Sequence, residues 1–222
     1  MNMHLLSGGR LRMRKSIFVP DADKNETIEL SVPCALIRHA GGNVLFDTGC
    51  HPTVAKDAEE RWGALARLMT PIMPTAENVV NGLSALGLSC DDIDLVVCSH
   101  LHPDHCGCNT FFKRATFIIH RNEVEAARAP DAQAQGYLAA EWEQEAPIDM
   151  IDGERDVFGD GRMVLLPLPI RHLLSGVRHR VSAHDTRYRR GAEEHLERRC
   201  AVEVARRDPA HRGVRCADSV RP

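Results

Sequence analysis

The chain is predicted to fold as an α/β layered domain. Three observations carry that expectation. Segments with helical spacing of apolar residues alternate with short apolar runs of strand length, the pattern of helices packed on a sheet. Residues 28–46 read as an antiparallel hairpin around a Gly-Gly-Asn turn. The run Leu95 to Cys98 is apolar and β-branched, short enough for a buried strand, and ends in a polar loop. With 222 residues the chain can bury a sizeable core, as one large domain or two small ones.

In chain order, Met3 to Phe18 reads as strand, Gly8-Gly9 turn, strand, with Ile17 and Phe18 entering the core. A polar loop follows from Pro20 to Thr27. Ile28 to His39 is strand-like, and Val44 to Phe46 returns beside it, ending in Asp47-Thr48-Gly49. From spacing alone, Asp47 is a turn or loop-bracing residue. Val54 to Met69 is a helix candidate, with Trp62, Leu65, Leu68 and Met69 on one face and Pro71 and Pro74 ending it. Thr75 is the expected cap of a second helix, Ala76 to Leu86, with Val79, Val80, Leu83 and Leu86 as its buried stripe. Gly87 stands where a helix ends. Beyond the central loop, Thr116 to Ile119 reads as a strand and His120 to Ala129 as a helix. The stretch from Tyr137 to Glu145 is ambiguous, with Tyr137 and Trp142 either covering the central loop or packing inside. Asp152-Gly153 and Gly159-Asp160-Gly161 mark turns, and Met163 to Leu166 reads as the last strand, before Pro167-Leu168-Pro169.

The loop after Cys98 concentrates the chemistry. It reads Ser99-His100-Leu101-His102-Pro103-Asp104-His105-Cys106-Gly107. Three imidazoles and a carboxylate in six positions suit zinc, iron, cobalt or manganese rather than calcium. In an extended backbone His100 and His102 project to one side. Pro103 then fixes a backbone angle, after which Asp104 and His105 can face a second position. A cluster of this kind can hold two ions, which together activate water for hydrolysis of an ester, lactone, thioester, amide or phosphodiester. Cys106 and Cys108 follow directly; packing is the expected role for both, with ligation as the alternative.

Composition excludes several classes. No apolar run reaches the length of a membrane span, and the start of the chain lacks the order of a secretory signal. The eight Cys are scattered without disulfide-framework spacing, so the expectation is reduced thiols and a cytoplasmic protein. The net charge of −3 conceals an asymmetry. Residues 171–222 hold 13 Arg, no Lys and 7 acidic residues, a net +6, leaving 15 basic and 24 acidic residues elsewhere, a net −9.

The run SHLHPDHCG resembles the HxHxDH signature of the metallo-β-lactamase superfamily. CALIRHAGGNVLFDTGC before it and FGDGRMVLLPLP after it resemble the N-acyl homoserine lactonase-like branch. The resemblance covers Met3 to Pro169. It implies an αββα four-layer sandwich and a dinuclear Zn2+ hydrolase that opens a lactone ring, with a small-molecule lactone as its partner. It further implies that His100 and His102 bind one zinc and that Asp104 and His105 bind the other. Asp104, the implied catalytic residue, is also oriented toward the nucleophilic water. Asp47 matches the strand-end Asp that supports the site from behind.

The second half of the pattern departs. Where the family carries Pro-Gly-His, this chain reads Pro169-Ile170-Arg171-His172. The bridging Asp and the last Gly-His lack clean counterparts; His172, His184-Asp185, His195 and His211 are the candidate replacements. From Arg171 onward there is no Phe, Ile, Met, Trp, Asn, Gln or Lys, and no strand-like alternation is expected there. The organisation predicted is therefore a metallo-β-lactamase-like domain over residues 1–170 and an atypical Arg-rich tail over 171–222. A divergent native domain, a basic nucleic-acid arm and a shifted reading frame compete to explain the tail. Loss of the motifs and change of composition begin at the same residue, which favours the shifted frame; seven acids and few aromatics weigh against nucleic acid. The expected activity is that of a lactonase-like hydrolase impaired by missing ligands. The alternatives are a glyoxalase-like thioesterase or a non-catalytic metal-containing or basic binding protein.

Overall fold

The computed structural model describes residues 1–74 and 77–169, together with the backbone of 200–205. Its strands are β1 Asn2–Arg14, β2 Thr27–His39, β3 Gly42–Phe46, β4 Met69–Ile72, β5 Leu95–Val97, β6 Thr116–His120, β7 Ile148–Ile151, β8 Arg155–Asp156, β9 Val164–Pro169 and β10 Cys200–Ala205. The helices are α1 Ala58–Trp62, α2 Val79–Ala85, α3 Pro103–Cys106, α4 Arg121–Ala127 and α5 Ala139–Trp142. Seven strands form one sheet in the order β4-β1-β2-β3-β5-β6-β7, and β10-β9-β8 form a second. β3, β5, β6 and β7 run parallel, whereas β4, β1, β2 and β3 pair antiparallel.

The central strands are apolar on both faces because both are covered. Leu45, Val96, Phe117 and Ile119 pack against α2 and α4 through Val79, Leu83, Val124 and Ala127. Val44, Val97 and Ile118 alternate to the opposite face, where they meet Leu165 of β9 and Met163 just before it. Sheet thus packs on sheet, with helices outside the larger one. A separate cluster, Leu11, Met13, Val32, Val54, Trp62, Ala66 and Met69, closes the end beneath α1.

Four local readings differ from the sequence expectation. Gly8-Gly9 is not a turn: β1 runs through it, with the register against β2 slipping between Ser7 and Arg10. A bulge answers the same glycine signal as a turn, and here the antiparallel partner stays in place on both sides. The helix expected over Val54 to Met69 is broken into a 3-10 turn Pro52–Ala55, α1, and a second 3-10 turn Gly63–Arg67 before β4. Asp57 starts α1 by accepting from the Glu60 N–H at 2.8 Å, and Gly63, at φ +57°, ends it. Of the expected face, Trp62 and Met69 are buried and Leu65 is half-buried, while Leu68 is exposed and Ala66 takes its place in the core. α2 starts later than expected, at a cap made by Asn78, whose side chain accepts from the Asn81 N–H; Thr75 lies outside the described residues. The tail does contain a strand: β10 pairs antiparallel with β9 from Cys200↔Pro169 to Ala205↔Val164. Its Val202-Glu203-Val204 alternates with period 2 inside the arginine-rich composition.

α1 and α5 are joined by a buried ion pair. Arg61 makes two bonds to Glu141, of 2.7 and 2.8 Å, and the Trp62 indole N–H donates to the same carboxylate at 3.0 Å. Burial pushes the Glu141 carboxyl up, opposed by Arg61 and Trp62. Glu141→Ala strands the Trp62 donor and removes the anion, but Arg61 remains partly exposed and can turn to water. The expected loss is about 2 kcal/mol, below the 3–5 kcal/mol of a fully sealed pair. Urea denaturation checks it: an unchanged midpoint would show that the pair stabilises nothing.

Candidate metal-binding loop and its relatives

β5 delivers the His-rich loop to the carboxyl edge of the parallel strands, where open α/β sheets place their ligands. His102 caps α3, and Pro103 occupies its first position, where the missing N–H costs nothing. Asp104 and His105 therefore sit on one helical turn, while His100 and His102 lie on the extended segment before it. The four side chains converge. The His100 ring centre lies 4.0 Å from that of His105 and 4.8 Å from that of His102. His105 Nε2 is 3.3 Å from Asp104 Oδ2.

Asp47 is the hub behind them. It is a buried non-glycine residue at φ +57°, a conformation Asp tolerates better than most side chains. Its Oδ1 accepts from the Ser99 N–H at 2.7 Å. Its Oδ2 accepts from the Ser99 hydroxyl at 2.7 Å and lies 2.7 Å from His105 Nδ1. Ser99 Oγ in turn lies 3.0 Å from His100 Nδ1. One carboxylate thus orients two of the imidazoles, one directly and one through a hydroxyl, the arrangement by which carboxylates orient metal-binding histidines.

The electrostatics favour a cation here. Burial disfavours a charge on His105, but Asp104 and Asp47 outweigh it and push the imidazole well above its ordinary range. Burial likewise works against the Asp104 carboxylate, but His105, then His100 and His102, hold its carboxyl well below the usual range. Three imidazoles and a carboxylate in such a field match zinc and its neighbours in donor chemistry. Among the described residues, no group of three or more His, Cys, Asp or Glu side chains is arranged to hold an ion. His172, Asp185, His195 and His211 lie outside the described residues.

Backbone contacts fix the loop against β1 and β3. The Thr48 N–H donates to the His105 carbonyl at 2.7 Å and the Cys50 N–H to the Gly8 carbonyl at 2.8 Å. The Thr48 hydroxyl is 2.8 Å from Asn109 Oδ1. A Cβ on Gly49 would stand 2.3 Å from Gly8 Cα, and one on Gly107 would stand 2.5 Å from the His51 nitrogen. The glycines let three backbone segments meet where side chains would hold them apart. Cys106 and Cys108 are buried, and their thiols donate to the carbonyls of His102 and Cys50. Burial pushes both thiols up, so packing is their role. Trp142 is buried in the core, whereas Tyr137 lies against His102, with ring centres 4.9 Å apart. Ser99, Asn109 and Gln135 gave no sequence signal, because they act through loop contacts; Gly8 was visible but read as a turn.

Known proteins share much of this chain's sequence and fold. The curated protein N-acyl homoserine lactonase AttM of Rhizobium radiobacter is 30% identical over 175 residues, which cover 76% of this chain and 66% of AttM. The N-acyl homoserine lactonase AiiB of Agrobacterium fabrum is 42% identical over 101 residues, 45% of this chain and 36% of AiiB. A solved N-acyl homoserine lactone hydrolase with N-hexanoyl-L-homoserine bound at its catalytic metal centre superposes with a TM-score of 0.66 at 26% identity, covering 75% of this chain and 65% of that one. The chain therefore spans just under two thirds of the length of AttM and of that structure. The family model of the metallo-β-lactamase superfamily matches residues 27–188, from β2 through the His-rich loop and past β9. With sheet packed on sheet and an HxHxDH loop at the strand ends, the chain belongs to the metallo-β-lactamase superfamily.

Proposed function

We propose that this chain is a zinc-dependent hydrolase of the N-acyl homoserine lactonase type, acting in the cytoplasm on a small lactone, with its rate reduced by ligands missing from the tail. The observation that carries this reading is the convergence of His100, His102, Asp104 and His105 on one loop oriented by Asp47. His100 and His102 would hold one ion and Asp104 and His105 a second. When bound, the metal supplies Lewis acidity toward a carbonyl and a water nucleophile at neutral pH. Asp104 would accept a hydrogen bond from that water, and Asp47, 2.7 Å from His105 Nδ1, would keep the His105 ring turned for its ligand.

The tail enters the proposal directly. Pro169-Ile170-Arg171-His172 stands where the family pattern has its next histidine, and weaker coordination follows from each absent ligand. Residues 171–222 are read as the product of a shifted frame attached to a family domain over 1–170. Neither a membrane nor nucleic acid is a partner in this reading; among the described residues no helix is long and apolar enough to cross a membrane.

The test combines metal analysis with hydrolysis. The purified chain should carry fewer than two zinc ions and open N-hexanoyl homoserine lactone slowly, and His102→Ala should lower both further. Two zinc per chain with ordinary enzyme rates would overturn the impairment, and faster thioester than lactone hydrolysis would overturn the substrate. Translating the coding DNA in its other two frames beyond the Leu166 codon should restore Gly-His, Gly-Asp and a last Gly-His; their absence would sink the shifted frame.

A further inference from the structure

We propose that the cleft between the 3-10 turn Pro52–Ala55, the segment after β4, α2 and Phe111 binds a small monocarboxylate with an apolar chain, a fatty acid or an acyl-amino acid. None of the four donors of the His-rich loop lines it, so the site is independent of the metal reading. The cleft holds about 400 Å³, within the range of pockets that take small molecules. Its walls are mainly apolar and include Pro52, Ala55, Met73, Val80 and Phe111. Phe111 is a large apolar side chain left 37% exposed. Its ring stacks on that of His51, with centres 5.1 Å apart and planes 17° from parallel. His51 is held in turn by Thr53, whose hydroxyl oxygen and backbone nitrogen lie 2.8 and 3.2 Å from Nδ1. An aromatic surface braced in this way gives an apolar chain something to pack on with little side-chain freedom left to lose.

Charge selects the head group. Lys56 is the cation among the lining residues, and it makes no ion pair with a described residue. The acids around it are engaged elsewhere. Asp57 caps α1 by accepting from the Glu60 N–H at 2.8 Å, and Glu59 pairs with Arg67 at 3.2 Å. Glu77, beside the lining residue Asn78, takes two bonds of 3.0 Å from Arg10. Burial, then Arg61, holds the His51 imidazole down to about 4, so it is neutral at pH 7 and adds no second charge. One ammonium beside an apolar cleft matches one carboxylate at the end of an apolar chain, whereas a dianion would keep a charge uncompensated. Asn78 and Asn81 also line the cleft, but the Asn78 side chain accepts from the Asn81 N–H in the cap of α2, and neither amide is assigned to the head group. Because Lys56 is exposed, its charge discriminates between head groups, while most of the affinity comes from apolar area covered.

The test titrates octanoate into the full chain labelled with 13C at the methyl groups of Ala, Val and Met. The signals of Ala55, Met73 and Val80 should shift together and saturate. Octylammonium, the same chain with the opposite charge, should bind at least about 5-fold more weakly, and Lys56→Met should weaken octanoate by about 2- to 5-fold, the scale of an exposed ion pair. Phe111→Ala should weaken it by about 10-fold through lost apolar contact. Lys56 is exposed, so Lys56→Met decides the question even where Phe111→Ala disturbs the fold. N-hexanoyl-L-homoserine should compete for the same signals, and the tighter of the two ligands tells an acyl-amino acid from a fatty acid. Shifts that do not saturate or that fall on other methyl groups would overturn the proposal. So would equal affinity for octanoate and octylammonium, or octanoate binding unchanged in Lys56→Met. No readout involves a metal, so the outcome stands apart from that of the hydrolase reading.

Discussion

Asp47→Ala is expected to destabilise the protein by about 2–4 kcal/mol, through three lost hydrogen bonds to a carboxylate whose surviving partners are only half-buried, so the loss stays below that of a fully sealed pair. The carboxylate meets the Ser99 N–H, the Ser99 hydroxyl and His105 Nδ1 within 2.7 Å each. Alanine leaves all three without that acceptor in a half-buried place and adds the strain of φ +57°. Asp47→Asn separates the causes. Asn accepts the same backbone conformation, and its oxygen can keep the Ser99 N–H. Its amide nitrogen, however, donates toward His105 where Asp47 accepted. The ring must then place its hydrogen on Nε2, removing the lone pair beside Asp104. Stability should fall by only about 1–2 kcal/mol, the scale of a lost charged hydrogen bond, while Zn2+ affinity falls by about 10- to 100-fold. Denaturation midpoints and competitive zinc titration measure the two. If Asp47→Asn binds zinc as tightly as the unaltered chain, Asp47 does not set the orientation of His105.

That contrast shows what the sequence made legible. The His-rich loop was readable as the place where the candidate side chains gather because its chemistry is contiguous: three His and one Asp in six residues after an apolar strand need no knowledge of the fold. The central strands were readable because burial on two faces leaves near-continuous apolar runs such as that within Thr116 to Ile119, which β6 extends by one residue to His120. Asp47 was half readable. Its place at a strand end was plain, and the family resemblance supplied its role, but its partners stand 52 and 58 residues away. Nothing local in the sequence encodes such a contact. The helix over Val54 to Met69 failed for the opposite reason. Its apolar spacing held only in part: Trp62 and Met69 are buried, but the Asp57 cap and Gly63 at φ +57° cut the backbone into short turns, which leaves Leu68 exposed and puts Ala66 in the core instead. Periodicity reports which side is buried; it does not report whether the hydrogen bonds are continuous. Tyr137 and Gln135 were beyond reach because one meets His102 through ring packing and the other through a backbone carbonyl 3.1 Å from its Nε2, a group that every residue possesses.

Gly49→Ala should be the most damaging single-atom addition to the scaffold of the site. Two costs act together. At φ +72° any L side chain meets its own carbonyl, at about 1–2 kcal/mol. The new Cβ would also fall 2.3 Å from Gly8 Cα and 2.8 Å from the Gly8 carbonyl oxygen. Both are backbone atoms of the β1 bulge, which the pairing with β2 holds on either side, so no rotamer change relieves the clash. Either β1 shifts or the loop carrying Asp47 does, and the second breaks the bonds from Thr48 and Gly49 to the His105 carbonyl. Overpacking of this kind adds about 1–3 kcal/mol. Gly63→Ala isolates the first cost, because its φ is +57° and nothing lies within 4 Å of the added carbon. Urea denaturation of both variants measures the difference. Gly49→Ala should lose at least 1 kcal/mol more than Gly63→Ala, by that overpacking scale, and should lose metal affinity with it, since Asp47 and α3 move apart. Equal losses in the two would mean that the contact between Gly8 and Gly49 does not hold the loop in place.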